Sequence, residues 1–175
     1  NAPAGQFDSS RFSIENILAI FNGSAPEYRY TTINTFLDAI INQPIIYKPI
    51  NISYLGILII FSVLLIVCSK LSKIEETRIR ILVVGGIFEV AAIIYIPVML
   101  VLYLFGFSQG EALGLASYKR YMGAMLYPML LFIMVSILNV LLREYSKYKT
   151  RIWLGCIVSL FLLIPFSNLK IELMI

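Results

Sequence analysis

Residues 50–69 read INISYLGILIIFSVLLIVCS, a run without a single charged side chain. A helix rising 1.5 Å per residue needs about 20 such residues to cross the hydrocarbon core of a bilayer. A run this long and this apolar therefore predicts a transmembrane helix. Three more runs extend the pattern toward the C-terminus. Ile81 to Phe107 carries one charge, Glu89, and Tyr121 to Leu142 carries none. Ile152 to Leu169 is the shortest and has Pro165 near its end. Whole-chain composition agrees, with 59% apolar and 14% charged residues in 175 and a mean hydropathy of +0.86. An average soluble domain is about 25% charged, and a chain this short still has to coat itself with polar surface. The same numbers exclude disorder. The expected fold class is all-α: a polytopic membrane helix bundle with four spans, 50–69, 81–107, 121–142 and 152–169. Residues 1–49 form a separate segment ahead of it.

Fourteen basic residues against ten acidic give a net charge of +4. Lys70, Lys73, Arg78 and Arg80 lie between the first two runs, and Arg143, Lys147, Lys149 and Arg151 between the last two. Eight of the fourteen cations thus fall in two short links on one side, which the positive-inside rule assigns to the cytoplasm. These clusters read as topology signals, with anionic-lipid binding as the alternative. Nucleic acid is not an expected partner; the lipid bilayer is. The orientation places residues 1–49, the 108–120 loop and the C-terminus outside. Tyr54, Tyr103, Tyr121, Tyr127 and Trp153 fall near span ends, where interfacial aromatics are expected.

The first 49 residues hold two candidate amphipathic helices. Ser13 can cap a helix with Ile14, Ile17, Leu18 and Phe21 on one face, stopped at Asn22-Gly23. Thr32 is the expected cap of a second, with Ile33, Phe36, Leu37, Ile40 and Ile41 on one face and Pro44 and Pro49 ending it. Both suit an ordered outer segment against the spans or the headgroup region, or a wall over a site on the outer face. The opening NAPAGQF lacks Met and has no signal-peptide pattern. The expectation is a piece of a longer polytopic protein whose N-terminal spans precede it, or one with a cleaved signal.

Chemistry-bearing residues are few. There is no histidine, and the two cysteines, Cys68 and Cys156, lie in apolar runs, so neither a disulfide framework nor a metal site is expected, and no cofactor motif is present. Glu89 stands about 13 Å along a helix from Arg80, near mid-membrane. It reads as a proton relay, an ion site or an arginine partner, or as a structural acid bonded to Asn139, Ser136 or Ser62. Pro97 allows a kink in the same span, and Gly85-Gly86 a close helix approach. The loop after that span gathers Glu111, Ser117, Tyr118, Lys119, Arg120 and Tyr121. Two adjacent cations on the non-cytoplasmic side oppose the positive-inside preference. A phosphate ligand would account for them, with arginine as a bidentate fork, lysine as a point charge and tyrosine rings as surfaces for a sugar or headgroup. Non-specific contact with lipid phosphate is the alternative.

The run FSQGEALGLASYKRYMGAMLYP, residues 107–128, resembles a stretch found in polytopic membrane proteins of Gram-positive bacteria similar to the GT-C class of lipid-sugar-dependent glycosyltransferases. Phe107, Ser108, Glu111, Ala112, Leu113, Ser117, Tyr118, Arg120 and Tyr121 carry the likeness. It implies transfer of a sugar from a polyprenyl-phosphate donor to a glycan or lipid acceptor at the outer membrane face, with a basic residue such as Arg120 on the carrier phosphate. In that class the catalytic acid lies in the first outer loop. The resemblance thus implies a carboxy-terminal portion, and no catalytic residue is assigned. The other expectations for function are a transporter or flippase for a lipid-linked or anionic substrate, with Glu89 as coupling acid, and a non-catalytic membrane scaffold.

Overall fold

The computed structural model describes residues 12–46 and 51–144, side chains of 142–144 excepted. The expected fourth span, with Trp153, Cys156 and Pro165, and the basic run from Arg143 to Arg151 lie outside the described side chains. What is described is all-α apart from one small hairpin. Three of its helices, within Tyr54–Leu71, Glu75–Gly106 and Tyr118–Leu141, are long and apolar enough to cross a membrane.

Helix α1, Ile14–Phe21, begins where the Ser13 side chain accepts from the Asn16 N–H at 3.1 Å. It stops at Asn22-Gly23, where Gly23 takes a φ of +74° that glycine adopts without cost. Helix α2 spans Glu27–Asn42 and so starts earlier than its expected cap, Thr32. Pro26 fixes the entry, and Glu27 in the first turn suits the helix dipole. Thr32 sits mid-helix, donating its hydroxyl to the Tyr28 carbonyl at 2.8 Å. The expected apolar stripe of α2 divides: Phe36 and Ile40 are buried, while Leu37 and Ile41 are exposed.

Strands β1, Pro44–Ile46, and β2, Ile52–Ser53, pair antiparallel. This pairing takes up the start of the expected first span, and α3 runs Tyr54–Leu71. Helix α4 begins at Glu75 rather than Ile81. Its first turns are favoured by Glu75–Arg78 and Glu76–Arg80 pairs at 3.3 and 2.7 Å, exposed contacts worth about 0.3–0.5 kcal/mol each. It runs to Val101, past Pro97, and continues as a π-helical turn, Leu102–Gly106. The short helix α5, Gln109–Leu113, occupies what read as a loop. Helix α6, Tyr118–Glu144, then begins ahead of the expected Tyr121.

The long helices turn apolar side chains outward. Ile79, Val83, Ile87, Val90, Ile94 and Val101 are all exposed along α4, and only 22% of its most apolar stretch is buried. An aqueous surface would not tolerate an apolar face of this length, whereas lipid requires one. The chain has the helices of an integral membrane protein.

The described residues form two compact units. One combines the residues up to Ser62 with Gly86–Met129, and the other combines Val63–Gly85 with the residues from Leu130 onward. The first is centred on Phe36, Tyr54, Tyr103, Phe105, Met122 and Met129, all essentially inaccessible. Tyr54 and Tyr103 are buried in this core, while Tyr127 is exposed. The second is centred on Leu65, Cys68, Ile81, Ile133 and Val140. There the two glycines of α4 part company: a Cβ on Gly85 would collide with both methyls of Leu65, whereas one on Gly86 would meet nothing within 4 Å.

Gly85→Ala is therefore expected to lower stability in detergent by about 1–3 kcal/mol, the usual cost of overpacking. Gly86→Ala should leave it unchanged or slightly raised, because alanine is the better helix former. Thermal melts of both variants, and of Gly85→Ala combined with Leu65→Ala, measure this. The double variant should cost less than the sum of its parts.

Candidate functional site

The first unit gathers aromatic rings around the end of α4. The π turn admits one extra residue per turn, and Tyr103, Leu104 and Phe105 in succession are buried. Tyr103 stacks on Phe107 with centroids 4.9 Å apart, and Phe107 packs against Tyr121 at 5.8 Å. Phe36 of α2 meets Tyr103 at 5.7 Å and the edge of Tyr118 at 6.0 Å. These phenols also act on the backbone. Tyr103 donates to the Ala116 carbonyl at 2.9 Å, and Tyr95 donates to the Tyr121 carbonyl at 3.1 Å.

Between α5 and α6 the chain turns through two non-glycine residues of positive φ, Leu115 at +46° and Ser117 at +57°. Each costs about 1–2 kcal/mol relative to ordinary backbone. The turn is held by the Ala116 N–H on the Glu111 carbonyl at 2.9 Å and by the Tyr103 hydroxyl. Ser117 then accepts the Tyr121 N–H through its own carbonyl at 3.1 Å, which starts α6.

The six residues read from the sequence as one site divide between two tasks. Glu111 closes a capping box on α5: its carboxylate accepts from the Ser108 N–H at 3.0 Å and from the Ser108 hydroxyl at 2.6 Å. Those two bonds, the hydroxyl's first, hold its pKa below the ordinary carboxylate value. Tyr118 is buried, and its hydroxyl has no hydrogen-bond partner among the described residues. Ser117, Lys119, Arg120 and Tyr121 remain at least partly accessible. The Arg120 guanidinium lies 5.1 Å from the centre of the Tyr121 ring.

Lys119 and Arg120 thus stand in the first turn of a 27-residue helix rather than in a loop. The dipole and the free N–H groups of that turn favour negative charge, and α6 places two cations and no acid there. An anion bound at this end would reconcile the two. Among the described residues no three of His, Cys, Asp and Glu come together as a metal site would need. Glu89, read from the sequence as an intramembrane acid, is half-buried and hydrogen-bonded to Ser62 of α3, one of the three partners its sequence position suggested.

One residue escapes the sequence reading. Arg29 is only 4% exposed. Its Nη1 donates to the Asn16 carbonyl of α1 at 3.2 Å, its Nε donates to the Tyr28 hydroxyl at 3.3 Å, and its guanidinium lies 4.8 Å from the Phe105 ring centre. No carboxylate among the described residues pairs with it. The signal was present: Arg29, Thr32, Phe36 and Ala39 follow helical spacing, so extending the buried stripe back from Phe36 reaches Arg29.

Two outcomes follow from these contacts. Because the folded Glu111 carboxyl titrates below its unfolded value, its cap is fully stabilising above the unfolded carboxyl pKa of about 4.3 and weakens as pH falls through the folded value. Amide protection in α5 should accordingly persist at neutral pH and decline in acid. Glu111→Gln should keep the cap and remove that pH dependence, as hydrogen exchange across a pH series would register. Arg29→Met should release α1, with a local loss of about 1–3 kcal/mol read as faster exchange of its amides while α4 is unaffected. Arg29→Lys, lacking the planar fork, should restore only part of it.

Comparison with protein-family models, curated proteins and solved structures gave no match to this chain.

Proposed function

We propose that this chain is the membrane-embedded portion of a glycosyltransferase that takes a sugar from a polyprenyl-phosphate carrier at the outer membrane face, in cell-surface glycan assembly. The observation that carries the reading is the pair of cations, Lys119 and Arg120, in the first turn of α6 beside a floor of aromatic rings. In this reading Arg120 grips the carrier phosphate as a fork and Lys119 adds a point charge. Tyr121 and Phe107 offer flat faces to the sugar or the first isoprene units. The buried tyrosines behind them keep the turn at Ser117 in place, which fixes the direction in which the cations leave the helix. The likeness of residues 107–128 to the GT-C class supports the same chemistry. It assigns no catalytic acid to the residues of this chain. The basic residues of the link between α3 and α4 support placing the α6 N-terminus on the non-cytoplasmic side.

Transport remains the second reading, with Glu89 as the coupling acid. The Ser62 hydroxyl gives that carboxyl a partner within the helix pair, which suits a structural acid equally well. A scaffold without a ligand is the third.

Arg120→Ala should weaken binding of a short-chain polyprenyl phosphate by about 10–100-fold, the value of a charge-assisted hydrogen-bonded contact. Arg120→Lys should lose less, and Glu89→Gln should bind as the parent does. Binding to purified protein in detergent and glycan assembly in cells measure the two levels. Loss confined to Glu89→Gln, with ion dependence, would replace the reading with transport; indifference to both changes would leave the scaffold.

A further inference from the structure

The second unit carries a cleft of about 160 Å³ between the first turns of α4 and the later turns of α6. Its floor is apolar, formed by Ile81, Phe132 and Val135, and its rim is polar. Two rim groups lack partners. Thr77 is 6% exposed and its hydroxyl makes no hydrogen bond among the described residues. The Asn139 amide likewise makes none, although it stands on a membrane-spanning helix. Both residues line the cleft and Asn139 is exposed, so both polar groups are open to a hydrogen-bonding group from outside. The Ser136 hydroxyl is occupied, donating to the Phe132 carbonyl at 2.8 Å.

The same rim presents an acid and a base side by side. Arg80 and Glu76 pair at 2.7 Å, with side chains 70% and 80% exposed. A surface pair of this kind gains little from its own attraction and yields easily to better partners. The lining is therefore neutral overall, with one cation and one anion a few ångströms apart. That pattern fits a zwitterion better than a simple anion.

Depth narrows the ligand further. Arg80 immediately precedes the apolar run that opens at Ile81, and Asn139 lies near the end of the α6 run. From Asn139 to Phe132 is about 10 Å along the helix, so the floor descends from headgroup level into hydrocarbon. We propose that this cleft binds a membrane phospholipid carrying a primary ammonium, such as phosphatidylethanolamine. The phosphate is met by Arg80, Thr77 and Asn139, the ammonium by Glu76, and the start of an acyl chain by Ile81, Phe132 and Val135. The site shares no residue with the Lys119–Arg120 cluster, and its test is independent of the carrier-phosphate proposal.

The experiment is lipid retention by the purified full chain in detergent, read by native mass spectrometry, with phosphatidylethanolamine, phosphatidylcholine and phosphatidylglycerol of matched chains. The expected order places phosphatidylethanolamine about three- to fivefold above the other two, the ratio an interfacial charged contact supports. Glu76→Gln should erase the preference over phosphatidylcholine, whose quaternary nitrogen has no N–H to donate. Arg80→Gln and Thr77→Val should lower retention of all three. Unliganded melting curves of the Glu76 and Arg80 variants should fall only slightly below the parent, since the exposed pair contributes about 0.3–0.5 kcal/mol. Equal retention of the three lipids by the parent chain, or variants that retain them as the parent does, would overturn the proposal. So would a preference for phosphatidylglycerol that Glu76→Gln strengthens, which would mark a plain anion site.

Discussion

Hydrocarbon offers no hydrogen bonds, so every backbone group placed in it has to be answered from within the protein. Regular helix does this for most of α3, α4 and α6. Irregular places need another donor, and here tyrosine supplies it repeatedly. Tyr54 donates to the Ala92 carbonyl at 3.0 Å, next in the chain to the Ile93 carbonyl that Pro97 leaves without a helical N–H. Tyr30 adds its hydroxyl to the Ala19 and Ile20 carbonyls at the end of α1, which also accept from the Ser24, Ala25 and Gly23 N–H groups. Tyr95 and Tyr103 serve the start of α6 and the turn ahead of it. A phenol suits this task because its ring packs as core while its hydroxyl reaches a carbonyl. The first unit is thus built on aromatic side chains several of which do two jobs, while among the described residues the buried Tyr118 hydroxyl has no partner.

That arrangement explains how the turn at Leu115 and Ser117 persists. Two non-glycine residues in the left-handed region would relax if nothing opposed them. The Tyr103 hydroxyl on Ala116 and the Glu111 carbonyl on the Ala116 amide hold the segment from both sides. The capping box at Ser108 then fixes Glu111 itself. Conformational strain is thereby concentrated next to the first turn of α6, where Lys119 and Arg120 emerge.

Much of the membrane architecture was legible because it depends on long apolar runs, and such runs admit few alternatives. The boundaries were less so. Ile52 and Ser53 look like the beginning of a span until they pair with Pro44 and Ile46, a contact no local pattern announces. Glu75 and Glu76 look like loop residues, yet they start α4 because acids favour a helix N-terminus and each has a basic partner one turn on. At the candidate site the residue types were legible and their directions were not. Glu111 reads as a substrate-facing acid by composition, but with Ser108 three residues earlier it satisfies the capping-box pattern, a competing use visible in the same letters. Tyr118 and Arg120 are two positions apart, and helical geometry sends neighbours at that spacing to different faces.

Arg29 and Arg120 show how burial decides what an arginine can do. Both lie close to tyrosines, and both have a guanidinium over an aromatic ring. Arg29 is enclosed, with a carbonyl of α1, a phenol and the Phe105 face as its surroundings. A cation without a carboxylate is expensive in such a place, and the weakly hydrated, planar guanidinium is the basic group best able to bear it. The geometry also depends on the π turn, since the extra residue there brings Phe105 into the core within reach of α2. Arg29 therefore acts as a latch, holding α1 and α2 to the end of α4, and has little access left for a ligand. Arg120 is exposed, and among the described residues its guanidinium hydrogen-bonds only its own neighbour, with the Tyr121 hydroxyl 3.4 Å from Nη2. Of the two arginines, the one at the head of α6 is the exposed one.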